Sequence, residues 1–485
     1  MVRAQLGVFI TSKVCRNAES LVMKKTEEKF REDFKVLNNY ALELQATNPG
    51  SSVLVVAEKV NHNEFPVFQK MYIYLAAVGE GVLVGCRQII GVDGCFLKGL
   101  LKGQLLMVVG RDGNNQMFPL AWAVVEKETT ETWAWFFENL MIDLGMGEGL
   151  GWSLISDMQK GLIHAVKDLL PFIEHRMCAR HIYARWGKKH QGKELQLQFW
   201  NVAISTSIPE MKKHLDQMRK MKGGDNAVEE LLEKWPVQGW CQACFNDQVK
   251  CEVIDNNLCE TFNGVVLDVR SRPVISMLET IRQYVMMRIA VKKDYASRWA
   301  GDYGPNVAAM IEKEREAYVI TLAEQTCSCG KWSKTGIPCQ HSMAAIAFQG
   351  EDPTNYITHW FRKETYEKAY QFAVNPVKGR DFWPVSDEGP LLPPFVKRMP
   401  DRANYNSTCP KRTKRTNASD TTSNISETSI QNKNVDVTIK GRKKYSAGMP
   451  PIQVLRIGLA ELLISYKLIP ANSFKTCTEF FTLAC

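Results

Sequence analysis

Long apolar runs are missing from this 485-residue sequence. The most apolar late stretch, Leu455 to Ile469, is broken by Arg456, Glu461 and Lys467. It is also shorter than the roughly 20 residues a bilayer requires. No transmembrane helix and no membrane partner are expected. A secretory h-region is missing too. The opening MVRAQLGVFITSKVC has one arginine and a short apolar core, below the roughly 7–15 residues of a signal peptide. The expected compartment is intracellular and reducing, where the fourteen cysteines serve as free thiols or metal ligands rather than disulfides. Internal repeats are absent, and so is a charge excess over most of the chain. The net charge is +9, yet twelve Lys/Arg stand against four Asp/Glu between Val396 and Tyr445 alone. The remainder is close to neutral, so a nucleic-acid surface on the folded part has to be a local patch.

What is present is a globular composition, 45% hydrophobic and 23% charged, long enough for several domains. The first 80 residues read as mainly helical. Phe30, Phe34, Leu37, Tyr40 and Leu42 recur at helical spacing, Asn48-Pro49-Gly50 stops the helix, and VLVVAEKV reads as a strand. From Gly91 the pattern changes. QIIGVDGCFL is a β-branched strand, and GQLLMVVGRDGNNQMFPLAWAVV is two strands about the turn Arg111–Asn115. TTETWAWFFENLMIDLG predicts a helix whose buried stripe is Trp133, Phe136, Phe137, Leu140 and Leu144, with Gly145 past its end. GWSLISD is a further strand and QKGLIHAVKDLLP a further helix, which makes the order β-β-β-α-β-α. The segment around 188–250 reads as a charged helical insertion, and Pro273 to Arg288 as a helix with proline at its start. After Pro394 periodicity is lost, and NASDTTSNISETSIQNKNVDV is a polar, low-complexity tail expected to be disordered.

Two constellations carry chemistry. Asp93 ends the first strand of the pattern and Asp157 the fourth. A strand-end aspartate alone is usually a turn or helix cap. If the two strands are neighbours, both carboxylates emerge at one edge. NNLCETFNGVVLDVR adds a third acid. It predicts a helix capped by Asn256 or Asn257, with Leu258, Phe262, Val265 and Val269 as its apolar face and Glu260 off that face in the first turn. Three such carboxylates can hold two divalent ions roughly 3.5–4 Å apart, one activating a nucleophile and one stabilising a leaving oxygen. Carboxylates suit Mg²⁺ and Mn²⁺ because these are hard ions.

The second constellation is CSCGKWSKTGIPCQH. Cys327 and Cys329 are one residue apart, as are Cys339 and His341, and nine residues separate the pairs. Each one-residue gap points two ligands the same way on an extended segment. Gly336-Ile337-Pro338 supplies a turn, and SMAAIAF starts a helix. Three thiolates and an imidazole make a closed tetrahedral zinc site, structural rather than catalytic. Cys241, Cys244, Cys251 and Cys259 lack a paired histidine and read as buried thiols.

The motifs IIGVDGCFLKG, LISDMQKGL, EHRMCARHIY and NNLCETFN closely resemble the Mutator-like (MULE) transposases, above all the plant MuDR type. The resemblance runs from about Leu37 to Pro394. It implies an α/β, ribonuclease H-like mixed sheet with a helical insertion, in a transposase domain over 85–290. A remnant N-terminal region would precede it at 1–84. The Cys₃His spacing resembles the SWIM zinc finger, here at 318–350, with the basic tail at 395–485. By the same resemblance Asp93, Asp157 and Glu260 stand at the D, D and E of a strand-transfer triad that uses Mg²⁺ or Mn²⁺, with Glu252 as the alternative third acid. Cys178 and His181 match a Cys-x-x-His element of the family, placed in the active-site region, though a core cysteine and a helix-start histidine would give the same pattern. The implied partners are DNA and further copies of the chain in a homo-oligomer, and the implied compartment is the nucleus. The basic run CPKRTKR, Cys409 to Arg415, is the segment expected to direct it there. The implied activity is metal-dependent cleavage and strand transfer in DNA transposition. Departures from the pattern are a short N-terminal region, a short run before the finger and an altered basic segment after it. They leave open a degenerate enzyme or a domesticated DNA-binding regulator without catalysis.

Overall fold

The computed structural model describes residues 12–59, 65–100, 102–299, 301–307 and 320–394. The expected basic tail and its CPKRTKR run lie outside the described residues. The first described elements are helices α1 (Ser12–Lys35) and α2 (Leu37–Thr47). Phe30, Phe34, Leu37, Tyr40 and Leu44 are buried, while Leu42 is exposed. Strand β1 (Ser52–Glu58) follows where VLVVAEKV predicts it. Strand β2 (Val67–Tyr74) corrects the helical reading of this region. It is buried on both faces, so it shows no alternation of apolar and polar residues. Its support is non-local, through antiparallel pairing with residues Ala121–Val125. Helix α3 (Ala76–Gly85) then leads into the strands carrying the motifs.

Strands β3 (Cys86–Phe96), β4 (Gln104–Asp112) and β5 (Met117–Val125) form an antiparallel meander. The predicted turn falls between β4 and β5. Helix α4 (Thr130–Leu144) buries the five residues predicted for it. Thr129 closes a capping box at its start, and Gly145 ends it in the left-handed region at φ 59°. Strand β6 (Ser153–Ser156), helix α5 (Lys160–Leu169) and strand β7 (Glu174–Met177) complete the sheet. Its order is β1-β2-β5-β4-β3-β6-β7. Only β3–β6 and β6–β7 are parallel, and α4 and α5 supply the crossovers that parallel neighbours need.

Helix α6 (Ala179–Trp186) leads into α7 (Lys193–Ile204), α8 (Ile208–Arg219) and α9 (Gly224–Lys234), which fall in the segment around 188–250 expected as an insertion, and the four pack as one helical group. It has its own core, in which Phe199 stacks on Trp240 at 5.0 Å and on Trp186 at 5.5 Å. The chain then returns to the sheet as α10 (Asn257–Val265) and α11 (Val274–Ser297). Ahead of the zinc ligands comes a short hairpin, β8 (Ile320–Thr321) and β9 (Thr326–Cys327). The ligands are carried on β9, the turn into α12 (Lys331–Thr335), and α13 (Gln340–Phe348). Helix α14 (Lys363–Ala369) packs back on α3, and the Tyr370 hydroxyl donates to Asp112 Oδ2 at 2.6 Å. No helix among the described residues is long and apolar enough to cross a membrane.

The face of α10 follows expectation in part. Phe262 and Val269 are buried as expected and Leu258 is half-buried against the core, but Cys259 and Val266 are buried too and Val265 is exposed. Cys259 is brought inward because the first turn of the helix presses on β3 at a glycine. A Cβ on Gly91 would lie 2.6 Å from Asn256 Oδ1 and 2.9 Å from the Cys259 sulfur. Gly91→Ala is therefore expected to lower unfolding free energy by about 1–3 kcal/mol in urea denaturation. Gly264→Ala, on the open side of the same helix with nothing within 4 Å, should be stabilising by about 0.5–1 kcal/mol.

Candidate metal centres

The parallel register of β3 and β6 pairs Ile89 with Ser153, Ile90 with Leu154 and Gly91 with Ile155. Continued two places, it sets Asp93 level with Asp157, and the period of two puts both side chains on one face. The carboxylates are close enough to repel. Burial, reinforced by the charge of Asp157, pushes the Asp93 carboxyl up to about 6. The Gly94 N–H, His181 and the Asn263 amide work the other way. The Gly94 N–H donates to Asp93 Oδ1 at 2.9 Å, and Asn263 Nδ2 donates to Oδ2 at 2.7 Å. Asp157 Oδ1 accepts the Gln159 N–H at 3.0 Å, at the start of α5. Each aspartate thus binds a local backbone N–H, as the turn reading holds, and also faces the other.

Two further residues belong to this edge. Asn263 lies three places after Glu260 on α10, inside the motif NNLCETFN, and it is the residue of that helix that bonds Asp93 directly. Glu128, just after β5, sets its carboxylate against Gly94 and receives the Trp133 indole N–H at 3.1 Å. Burial first and the Asp157 charge second raise its pKa. Nothing in the local pattern of β5 marks Glu128; only the fold brings it here.

Glu260 sits in the first turn of α10, half-buried. Its Oε2 accepts from Arg180 Nη1 at 2.7 Å, and Arg180 Nη2 donates to Asp255 Oδ2 at 2.9 Å. Asn256 occupies the N-cap position, but its side chain makes no cap hydrogen bond. Its Nδ2 donates to Val92 O at 2.9 Å instead and ties the helix start to β3 beside Asp93. Glu252 is turned away into an ion pair with Arg111 at 3.5 Å. The Arg111 and Arg87 charges outweigh its burial and hold its pKa down.

The four predicted zinc ligands converge. The donor atoms of Cys327, Cys329, Cys339 and His341 all lie within 4.8 Å of one another. His341 Nδ1 is 3.5 Å from the sulfurs of both Cys327 and Cys339, and the Cys329 and Cys339 sulfurs are 3.6 Å apart. A tetrahedral zinc with bonds of about 2.3 Å to sulfur and 2.0 Å to nitrogen has edges of about 3.5–3.8 Å, so the donor set fits the ion. Hydrogen bonds to its sulfur, from Cys329 first and Ser342 next, draw Cys339 below the usual thiol range. Between the two ligand pairs the chain forms helix α12 rather than a simple extended turn, and this buries Trp332 against the cluster.

Residues 89–185 match the MULE transposase domain, and residues 318–349 match the SWIM zinc finger. The chain carries both domains. Together they support a Mutator-like, transposase-derived origin for these regions. The MULE match contains Asp93, Asp157, Cys178 and His181, and Glu260 lies beyond it. Among curated proteins none matches the chain at a significant level.

The SWIM finger is docked on the insertion of the transposase region. Thr206 Oγ1 donates to Cys329 O at 2.5 Å, Lys250 Nζ to Ser333 O at 2.9 Å, and Lys334 pairs with Asp247 at 2.8 Å. Zinc removal by a chelator is therefore expected to unfold 326–348, because structural zinc supplies folding energy directly. It should also speed amide exchange near Thr206 and Asp247–Lys250. Cys339→Ser should do the same without chelator, read by hydrogen exchange and zinc content.

A folded pKa of about 6 for Asp93 exceeds the ordinary 3.8, so its ionisation costs stability. The stability that the protonated carboxyl contributes is fully present below about pH 4 and is lost as pH rises through about 6. Asp93→Asn should be more stable than the parent by about 1–2 kcal/mol at pH 8 in buffer free of Mg²⁺ and Mn²⁺. The gap should close toward pH 4, and added Mn²⁺ should stabilise the parent but not the variant.

Proposed function

We propose that this chain binds DNA and performs metal-dependent phosphodiester cleavage and strand transfer on a ribonuclease H-like core. The observation that carries the reading is the level placement of Asp93 and Asp157 on adjacent parallel strands, each with oxygen donors suited to a hard divalent ion. The sheet order supports it as well. An antiparallel meander of three strands, extended by two parallel strands beyond the first, is the layout on which the ribonuclease H-like expectation rests. Bound Mg²⁺ or Mn²⁺ would activate the attacking oxygen and neutralise the leaving one. Asp93 and Asp157 would hold the ion, Asn263 would fix the Asp93 carboxylate, and Glu260 is the candidate third acid. Solvation of the carboxylates by local N–H groups positions them before any ion arrives.

A second reading has its own observation. Arg180 already engages Glu260 and Asp255, so one carboxylate of the proposed triad is compensated by protein. That favours a domesticated nuclear DNA-binding regulator that keeps the fold and the SWIM finger without catalysis. Nicking of supercoiled plasmid by the full chain separates the two. With Mn²⁺ present, the enzyme reading expects nicking that falls at least about 100-fold in Asp93→Asn. Salt-sensitive DNA binding with equal, background nicking in parent and variant would leave the regulator. Nuclear accumulation dependent on Lys411, Arg412, Lys414 and Arg415 belongs to both readings and is tested by replacing the four with alanine.

A further inference from the structure

A second mixed donor set occurs among the described residues. The ligand atoms of Cys178, His181 and Glu260 lie within 4.8 Å of one another. The fold builds this set from three places. Cys178 is the residue between β7 and α6, and His181 follows in the first turn of α6. Glu260 comes from the first turn of α10, far along the chain. The two helix starts are bound together by backbone. Ala179 N donates to Ile254 O at 2.8 Å, and the Asn256 N–H approaches the Cys178 sulfur at 3.3 Å.

Two details distinguish the cluster from ordinary packing. Cys178 is fully buried, yet its sulfur faces a histidine and a carboxylate rather than apolar side chains alone. His181 Nδ1 is buried without a hydrogen-bond partner. A buried polar nitrogen left unpaired costs about 1–3 kcal/mol, and such groups commonly mark an absent ion or water. A metal ion bound through this nitrogen would satisfy it. Arg180 holds Glu260 Oε2 at 2.7 Å and is a positioning residue for the carboxylate.

We propose that Cys178, His181 and Glu260 form a second zinc-class metal site, separate from the SWIM knot and adjacent to the Asp93 carboxylate. A thiolate, an imidazole and a carboxylate suit Zn²⁺ or a similar borderline ion and not Mg²⁺. Three protein donors leave a fourth tetrahedral position for water or a ligand oxygen, in contrast to the closed Cys₃His set. Binding requires loss of the Cys178 proton, which burial otherwise retains. The site goes beyond the phosphodiester reading and takes Glu260 for a different ion.

The test is metal content of the purified full chain after exhaustive dialysis. The parent is expected to retain about two zinc ions, and Cys178→Ser, His181→Ala and Glu260→Gln about one each. Cys339→Ser is expected to retain the other one, and the Cys178→Ser/Cys339→Ser double variant neither. Cobalt substitution gives a second readout that does not depend on counting. The thiolate-to-cobalt absorption left in Cys339→Ser should vanish when Cys178→Ser is added, with far-ultraviolet circular dichroism unchanged as the check on folding. One zinc in the parent, or two that survive both His181→Ala and Cys178→Ser, overturns the proposal and leaves Glu260 to the Asp93–Asp157 edge. The readout is metal alone, so a chain that fails to nick DNA does not affect it.

Discussion

The parallel pairing of β3 with β6 is the constraint on which the candidate site depends. Three register pairs, from Ile89–Ser153 to Gly91–Ile155, decide that two aspartates distant in sequence end level at one edge. A one-residue slip would send one carboxylate to the opposite face. The pairing is secured from both sides. Helix α4 buries three aromatic residues as it returns the chain, and the β4 strand that flanks β3 is almost wholly buried. Burying a carboxylate and then setting a second anion beside it are both unfavourable, and the raised Asp93 carboxyl registers burial first and the Asp157 charge second. The large sheet core tolerates it because the cost is small beside the apolar burial of β4 and β5.

Helix α10 is the second determinant. It reaches the edge only because Gly91 has no side chain and because Asn256 bonds Val92 O rather than capping its own helix. From that position it delivers Asn263 to Asp93 and Glu260 to Cys178 and His181. One short helix therefore serves two neighbouring donor sets, one hard and one softer. The SWIM finger is tied in through Thr206, Lys250 and Lys334, so zinc supports both its own module and the flank of the insertion.

Some of this was legible in the chain by itself. The Cys₃His ligands were legible from residue type and spacing within one short segment, although only Cys327 lies on a strand and His341 sits in the first turn of α13, so the extended geometry expected for each pair is not what aims them. The α4 stripe and its glycine end were legible for the same reason, since a helix's periodicity and caps are encoded within it. Asp157 could be named as a strand end, but Asp93, read the same way, lies inside β3, which runs on to Phe96 because β4 pairs with it to Gln104; the nearness of the two needed a sheet order.

Strand β2 was missed because it is buried on both faces and is held by β5, some fifty places away, rather than by its own pattern. The face of α10 was legible for Leu258, Phe262 and Val269 but not for Cys259 and Val265, because the contact at Gly91, on another element, brings Cys259 inward. Glu128 and the Cys178–His181–Glu260 cluster had no joint signature, since their members meet only when distant segments pack. Sequence alone determined which residues could bind metal and which helices could form, because those properties reside in side-chain chemistry and local period. Only the tertiary structure decided which donors meet, because strand register and helix rotation are set by packing between segments that carry no local record of one another.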